Sequence, residues 1–354
     1  MSTAKAATKP GKILVTGGTG FLGSHLVSGL ARSARGAAKD VRVLVQSAPP
    51  TWLRDLGVEI CKGSITSADD VARAVDGVDR VYHLAGMVSH KPVDGHKMYA
   101  VHVDGTRVLC DAAVAAGVRR IVMSSTSGTI AASKRADDMA DETTPTPLDV
   151  IARWPYYASK VYQEETARRH CGDKVEVVTV NPSLLLGPGD DRLSSTRPVL
   201  QFLSREIMMT PPGGLNFVDA RDVAAILPVA MDRGVAGERY LIGGYNWTFE
   251  ELFGRLERLS KVAAPMFKAR GPLPLLATRA QAALFRQWGR RPPVEPQSVE
   301  MAEHFWYFDS GKAARDLGFE PRDATDTLFD TIKYIRETIL GNDAFEKPAA
   351  RAGA

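Results

Sequence analysis

Over the first half of the chain, apolar residues fall into two alternating patterns. Short, mostly apolar runs occur at Ile13–Thr16, Val41–Val45, Val58–Cys61, Val78–Leu84, Arg120–Ser124 and Val175–Val180, and Arg42 is the only polar residue of its run. Runs of this kind predict strands covered on both faces. Between them the apolar residues recur at helical spacing. Leu22, Leu26, Val27 and Leu30 share one face of a helix expected from Phe21 to Ala34. A second helix is expected over Ala68–Val75, with Ser67 as its cap and Asp69 and Asp70 in the first turn. Met98–Ala116 reads as a long helix ended by Gly117, and Tyr156–Arg169 as another. Strand–helix alternation with right-handed crossovers predicts an α/β fold built on one doubly wound parallel sheet.

After Asn181-Pro182 the alternation loosens into short segments separated by turn signals at Gly187-Pro188-Gly189, Pro211-Pro212-Gly213-Gly214 and Gly243-Gly244. Helices are expected near Asp222–Met231 and from Thr248 to Lys261, where Thr248 and Glu251 have capping-box spacing. Ala263–Pro296, rich in proline, arginine and leucine, predicts a smaller lobe over the C-terminal ends of the strands. No internal repeat is visible.

Composition narrows the class without naming the chemistry. The chain has 354 residues, 44% apolar and 24% charged, an ordinary globular balance. Its 45 Lys and Arg exceed 41 Asp and Glu by four, and part of that excess lies near the ends, so no nucleic-acid partner is expected. Cys61, Cys110 and Cys171 are far apart, as thiols of a reducing compartment are. Met1 to Gly11 has no apolar core of a signal peptide, and no run reaches the roughly 20 apolar residues of a membrane span. A cytoplasmic location is expected.

The first strand runs into Gly17-x-x-Gly20-x-x-Gly23 and then a helix. Three glycines placed so allow a tight turn, close approach of backbone to phosphate and close helix–strand packing, while the helix N-terminus offers free amides to a pyrophosphate. The adenosine ribose is expected at the end of the second strand, at Gln46, 23 residues beyond Gly23 (46 − 23). Gln46 carries no charge to repel a 2′-phosphate, which favours NADP(H) narrowly over NAD(H), with Arg54 near enough in sequence to assist.

Tyr156 and Lys160 stand four apart and face the same way on a helix. A phenol ordinarily titrates near 10, and a neighbouring ammonium is expected to bring it toward a working range. Lys160 can also hold the nicotinamide ribose. The fifth strand ends in Ser124-Ser125-Thr126-Ser127, whose hydroxyls would face the same crevice. Tyr157 is out of phase with Lys160 and is expected to pack or line the pocket. His83, His90, His96 and His102 are too loosely spaced, without acidic partners, to suggest a metal site.

These residues together resemble the extended short-chain dehydrogenase/reductase family over nearly the whole chain. Thr16-Gly17-Gly18-Thr19-Gly20-Phe21-Leu22-Gly23 resembles its cofactor motif, and Tyr82-His83-Leu84-Ala85-Gly86 the strand-four motif beside the cofactor. Asn181-Pro182-Ser183 with Gly187-Pro188-Gly189 is similar to the segment beneath the nicotinamide. Gly214-Leu215-Asn216-Phe217-Val218-Asp219 and Phe308-Asp309-Ser310-Gly311-Lys312 with Leu317-Gly318-Phe319 resemble late landmarks of the family. The resemblance makes Thr126 the match for the catalytic hydroxyl, with Ser125 second. Two positions depart from the family pattern: His102 stands where asparagine is usual, and Ser64 where an aspartate usually meets the adenine, leaving the backbone of Ile65 to serve. The resemblance implies a Rossmann-type NAD(P)-binding domain over 12–182, a mainly substrate-binding lobe over 183–342 that returns to the core, a disordered arm over 1–11 and a flexible tail over 343–354.

Within the family the chain is similar to the dihydroflavonol-reductase-like, 3β-hydroxysteroid-dehydrogenase-like and hopanoid-associated sugar epimerase branches. Ser127-Gly128 follows Thr126 where a dehydratase of the family would resemble an Asp-Glu pair. Gly213-Gly214-Leu215 stands where sugar-nucleotide epimerases often carry an arginine. The apolar segments Pro272–Leu276 and Ala282–Phe285 with Trp288 would suit a greasy ketone or alcohol, or else form the lobe's core. Leu275–Arg291 is also amphipathic and basic, which leaves peripheral membrane contact open. The expected function is an oxidoreductase interconverting a carbonyl and a secondary alcohol on an apolar small molecule. The alternatives are a sugar or sugar-nucleotide epimerase and a non-catalytic nucleotide-binding protein. Homodimerisation, common in the resembling family, has no interface stripe of its own in the sequence.

Overall fold

The computed structural model describes residues 11–33 and 38–341, apart from 270, 272, 289, 291 and 293. Most of the expected N-terminal arm and the tail from Asp343 lie outside the described residues. Six strands come in the expected order: β1 (Lys12–Thr16), β2 (Val41–Val45), β3 (Glu59–Lys62), β4 (Val78–His83), β5 (Arg120–Ser124) and β6 (Glu176–Pro182). A seventh, Arg239–Ile242, returns from the second half of the chain to pair with β6. All pairs in this sheet are parallel, and its spatial order is Arg239–Ile242, β6, β5, β4, β1, β2, β3. The order reverses between β1 and β4, which opens a crevice beyond the C-terminal ends of those two strands, where such folds place ligands. The fold is the Rossmann-type doubly wound sheet that the alternation predicts.

The two faces of the sheet are sealed by different helices. Phe21–Arg32 and Ala220–Arg233 cover one face through Leu22, Leu26, Val27, Val223 and Leu227, against Val15, Val43 and Val178 of the strands. Ala68–Val75, Gly105–Ala116 and Pro155–Cys171 cover the other, around Leu14, Val81, Leu109 and Ile121. Cys110 and Cys171, 61 positions apart in sequence (171 − 110), are buried free thiols in this second cluster. Arg42, the one polar residue of β2, is accounted for: it donates to Glu59 and to the carbonyls of Arg73, Ala74 and Asp76, closing the end of the Ala68–Val75 helix.

Beyond β6 a small second sheet forms around Gly214–Asp219, with Tyr245–Thr248 antiparallel and Leu184–Leu186 and Phe305–Trp306 parallel to it. Phe202, Phe217, Phe253 and Leu328 lie in the core beneath it. The helix expected from Thr248 is present as Phe249–Ser260, and both reciprocal bonds of its capping box form: Thr248 Oγ1 accepts from Glu251 N at 3.1 Å and Glu251 accepts from Thr248 N at 2.8 Å. One expectation changes in detail. Met98–Ala116 is not one regular helix; a π-helical turn at Ala100–Asp104 interrupts it and turns His102 inward, fully buried.

The capping box supplies a stability test. Thr248→Ala removes a side-chain acceptor and is expected to cost about 1 kcal/mol of stability, with Thr248→Ser recovering most of it. The check is the urea unfolding midpoint of the three proteins; equal midpoints would show that the box does not anchor this helix.

Candidate active site

Glycine is required at the turn after β1 for measurable reasons. Gly17 has φ +72°, and a Cβ there would fall 2.5 Å from the Leu84 carbonyl. A Cβ on Gly23 would fall 2.2 Å from the Gly17 oxygen. The turn therefore folds back onto the first turn of the Phe21–Arg32 helix and against the end of β4, where Leu84 N and Ala85 N donate to Thr16. Gly20 caps the helix without a side chain, so the first-turn amides face outward uncovered. His25, one turn on, bonds the Pro188 carbonyl at 2.9 Å and draws the Gly187-Pro188-Gly189 loop alongside.

These elements border one large cavity of about 1510 Å³. A site for a single small ligand typically spans roughly 300–1,000 Å³, so this one has room for a dinucleotide and a second molecule. Gly17, Gly20, Phe21, Leu22, Gly23, Leu84 and Gly86 line one part of it, and Ser125, Thr126, Tyr156, Lys160, Pro182 and Ser183 another. The structure thus brings together the glycine turn and the Tyr156–Lys160 pair, which are 133 residues apart (156 − 23). Gln46, Ser64, Ile65, Ala85 and Asn181 are not among its lining residues. Ser47 and Ala48 line the cavity beside the exposed Gln46, and Arg54 donates to the carbonyl of Pro49 in the same loop. Ser64 N is engaged with the Asp70 carboxylate, and Ile65 packs against the core. Asn181 lies just beneath, bonding the Thr126 carbonyl, Thr129 and Glu164.

Tyr156 and Lys160 are carried by Pro155–Cys171, a helix whose proline sits in the first turn, where a missing N–H is harmless. Lys160 is buried and donates to the Ser124 carbonyl at 3.0 Å and to Gln163 Oε1 at 2.8 Å. Burial lowers its pKa to about 8, against the attraction of Glu164. The phenol of Tyr156 is pushed up to about 12 by burial, opposed by a hydrogen bond with Thr126. The expected acidification of the phenol is therefore not met: desolvation disfavours the phenolate, and the ammonium spends its bonds on Ser124 and Gln163. At neutral pH the phenol of Tyr156 is protonated.

Thr126 and Ser125 have different surroundings. Ser125 donates to Glu164, whose carboxylate also receives Thr129 and Asn181. Thr126 Oγ1 accepts from Gly128 N at 3.3 Å and bonds the phenol of Tyr156, so it is the hydroxyl that lies beside the phenol on the cavity wall. Tyr157 packs instead, stacking on Trp306 with ring centroids 4.8 Å apart, over Gly128, where any Cβ would strike its ring.

His102 shows what the departure from asparagine does. Its Nε2 accepts from Met87 N at 3.0 Å, which places the proton on Nδ1; that nitrogen donates to Ser159 Oγ at 2.8 Å, and Ser159 donates to the Tyr156 carbonyl. Burial keeps the ring neutral, with a pKa lowered to about 2. A second buried chain runs from Thr16 through His83 to Thr106 and Gln163, and so to Lys160. Gln163, Glu164 and Ser159 were missed by the sequence reading. Glu164 was findable, because it repeats the four-residue spacing of Tyr156 and Lys160 on the same helix face.

The apolar wall of the cavity differs from expectation. It comes from Leu184–Leu186, Val199, Ile207, Leu215, Phe253 and Trp306, whereas no residue of Leu273–Trp288 lines it. Nor do Leu273, Leu276 and Trp288 form a core, since they are exposed. Among the described residues no helix is long and apolar enough to cross a membrane.

The residues fit a bound dinucleotide: a turn closed so tightly on its own backbone at Gly17 and Gly23 that only glycine fits, uncapped helix amides on the cavity wall, and a buried Ser183 hydroxyl there with no partner among the described residues. Comparison with known proteins agrees. Residues 13–243 match the NAD dependent epimerase/dehydratase family. The chain is 31% identical over 331 residues to sterol demethylase protein B of Methylococcus capsulatus, covering 92% of this chain and 98% of that one. It is 30% identical to a putative dihydroflavonol 4-reductase of Synechocystis over 91% of this chain and 94% of the relative. The crystal structure of gox2253 superposes with a TM-score of 0.77 at 29% identity, covering 92% and 98% of the two chains. With its sheet order, its glycine cradle and a match across most of its length, the chain belongs to the NAD-dependent epimerase/dehydratase family.

Proposed function

We propose that the chain is an NAD(P)(H)-dependent oxidoreductase that interconverts a ketone or aldehyde with the corresponding alcohol on an apolar, sterol- or lipid-like molecule. The observation that carries this reading is a protonated phenol, Tyr156, hydrogen-bonded to the Thr126 hydroxyl in the same cavity as the glycine cradle. The glycine turn, the first amides of the Phe21–Arg32 helix and Ser183 would hold the dinucleotide, whose nicotinamide would supply the hydride for reduction or take it up in oxidation. Thr126 donates to the substrate oxygen and fixes its position, and Tyr156 delivers the proton to it in reduction or removes it in oxidation. Lys160 lends a buried positive charge to the developing alkoxide and would hold the nicotinamide ribose. Glu164 holds Ser125, Thr129 and Asn181 and so sets the loop that presents Thr126. The relatives named for sterol and dihydroflavonol chemistry and the leucine-rich wall both support an apolar substrate. The uncharged Ser47 and Ala48, with Arg54 against the same loop, support NADP(H) over NAD(H). Arg192 and Arg197 on the cavity wall keep a second reading in view, a sugar-nucleotide epimerase that regenerates its cofactor at each turnover.

The deciding assay is net consumption of NADPH or NADH, followed by absorbance, with a panel of sterol, terpenoid, flavonoid-like and sugar-nucleotide substrates. One equivalent consumed per apolar product, with NADPH the better donor, is the expected result. Turnover of a sugar nucleotide without net change in nicotinamide would replace the oxidoreductase reading by the epimerase one.

Tyr156→Phe is expected to lower kcat by roughly 10²- to 10⁴-fold while nucleotide affinity stays unchanged. Full activity in that variant would remove the phenol from the chemistry.

The pH dependence follows from Lys160. Its ammonium is present below about pH 8 and is lost as pH rises through that value. Because kcat/KM reports groups of the free enzyme, carbonyl reduction should fall on the alkaline side with an apparent pKa near 8. Glu164→Gln removes the charge that favours the ammonium, so it should move that limb to lower pH, and Lys160→Met should abolish it. A limb that stays in place in both variants would assign the titration to another group.

A further inference from the structure

The helix Leu273–Gln287 is apolar on two opposite sides. Leu275, Thr278, Ala282 and Phe285, spaced three and four apart, form the side that packs on the protein. Leu273, Leu276, Ala280, Leu284 and Trp288 form the other, and all are exposed, Leu273 by 73% and Trp288 by 60%. Just before this helix, Phe267–Lys268 pairs in parallel with Met209–Thr210. That pairing sets Met208, Met209, Met266 and Phe267 side by side on the surface, with Met266 89% and Met208 80% exposed. Exposed apolar side chains in this number on two adjacent segments need a partner.

The charge around them identifies which. From Arg258 to Val294 the sequence contains no Asp or Glu and eight Lys or Arg residues. Two of these are neutralised from outside the stretch, Lys268 by Glu250 and Arg286 by Glu295. A second copy of the chain is a poor occupant, because a two-fold contact through this face would set one basic segment against its twin. An anionic lipid surface is complementary on both counts: it takes up the apolar stripe and the indole of Trp288 at the headgroup level and attracts the surrounding cations.

The same segments border the cavity. Glu206, Ile207 and Pro211 line it on either side of Met208 and Met209, and Val294, Glu295 and Ser298 line it just after the helix.

We infer that this face docks the protein on anionic membranes, with the exposed side of Leu273–Gln287 and the Met208/Met266/Phe267 patch in the interface and the cavity rim beside it. The docking stands on surface geometry and goes beyond the proposed reaction. Delivery of an apolar substrate from the lipid into the cavity is its consequence if that reaction holds.

The test is sedimentation of the full chain with vesicles of phosphatidylcholine alone or mixed with phosphatidylglycerol. Wild-type protein is expected to pellet with the mixed vesicles and to be released as salt rises. The combined variant Leu276→Glu, Leu284→Glu and Trp288→Glu should reduce the bound fraction about tenfold while nucleotide binding persists. Because three acidic changes could disturb the lobe, Arg279→Gln with Arg290→Gln provides an independent probe, expected to lose the preference for anionic vesicles. Wild-type protein that stays in solution with both vesicle types at low salt overturns the inference. So does light scattering that shows a wild-type dimer split by the triple variant, since the stripe would then be a subunit interface. None of these measurements uses a substrate, so failure of the oxidoreductase assay leaves their outcome standing.

Discussion

A buried ammonium is the constraint around which the rest of the site is organised. Lys160 lies out of water, where a charge without partners is too costly to keep. Its bonds to the Ser124 carbonyl and to Gln163 therefore fix the end of β5 against the Pro155–Cys171 helix. Gln163 passes the constraint to Thr106, His83 and Thr16, which reaches β1 at the base of the glycine turn. Lys160 and the glycine turn are thus parts of one hydrogen-bonded body, and a shift in either would leave a buried polar group unsatisfied.

The competition between burial and charge also sets the working state of Tyr156. A lysine four residues away would lower a phenol's pKa if both stood in the open and faced each other. Here the phenol is desolvated and the lysine is directed elsewhere, so the neutral phenol wins. That outcome suits proton donation to a carbonyl oxygen. Glu164 acts from beneath the same helix: its carboxylate gathers Ser125, Thr129 and Asn181 and favours the charged form of Lys160. One acidic residue therefore shapes both the loop that bears Thr126 and the electrostatics behind it.

The second half of the chain adds a wall and a surface. Its small sheet and the helices around it close the crevice with leucine and aromatic side chains, while the basic segment beyond Arg258 turns an apolar stripe outward. These are separate layers. The residues that line the cavity and the residues that form the exposed stripe come from neighbouring segments and do not overlap.

The sequence alone determined what depends on local spacing. The alternation of apolar runs and helical faces dictated the doubly wound sheet, three glycines at fixed intervals dictated the turn, and Thr248 with Glu251 dictated a helix start, because each is an interaction among residues a few positions apart. The Tyr156–Lys160 pair was legible for the same reason. Everything that depends on which distant atoms share a buried volume waited for the tertiary structure. Lys160 bonds Ser124 rather than acidifying Tyr156; Ser125 is taken up by Glu164, leaving Thr126 to the phenol; Ser47 rather than Gln46 meets the cavity; and one side of the apolar run Leu273–Trp288 faces outward. Burial decides the energy of a charge, a hydroxyl or a leucine, and burial is a property of packing that spacing along the chain does not encode.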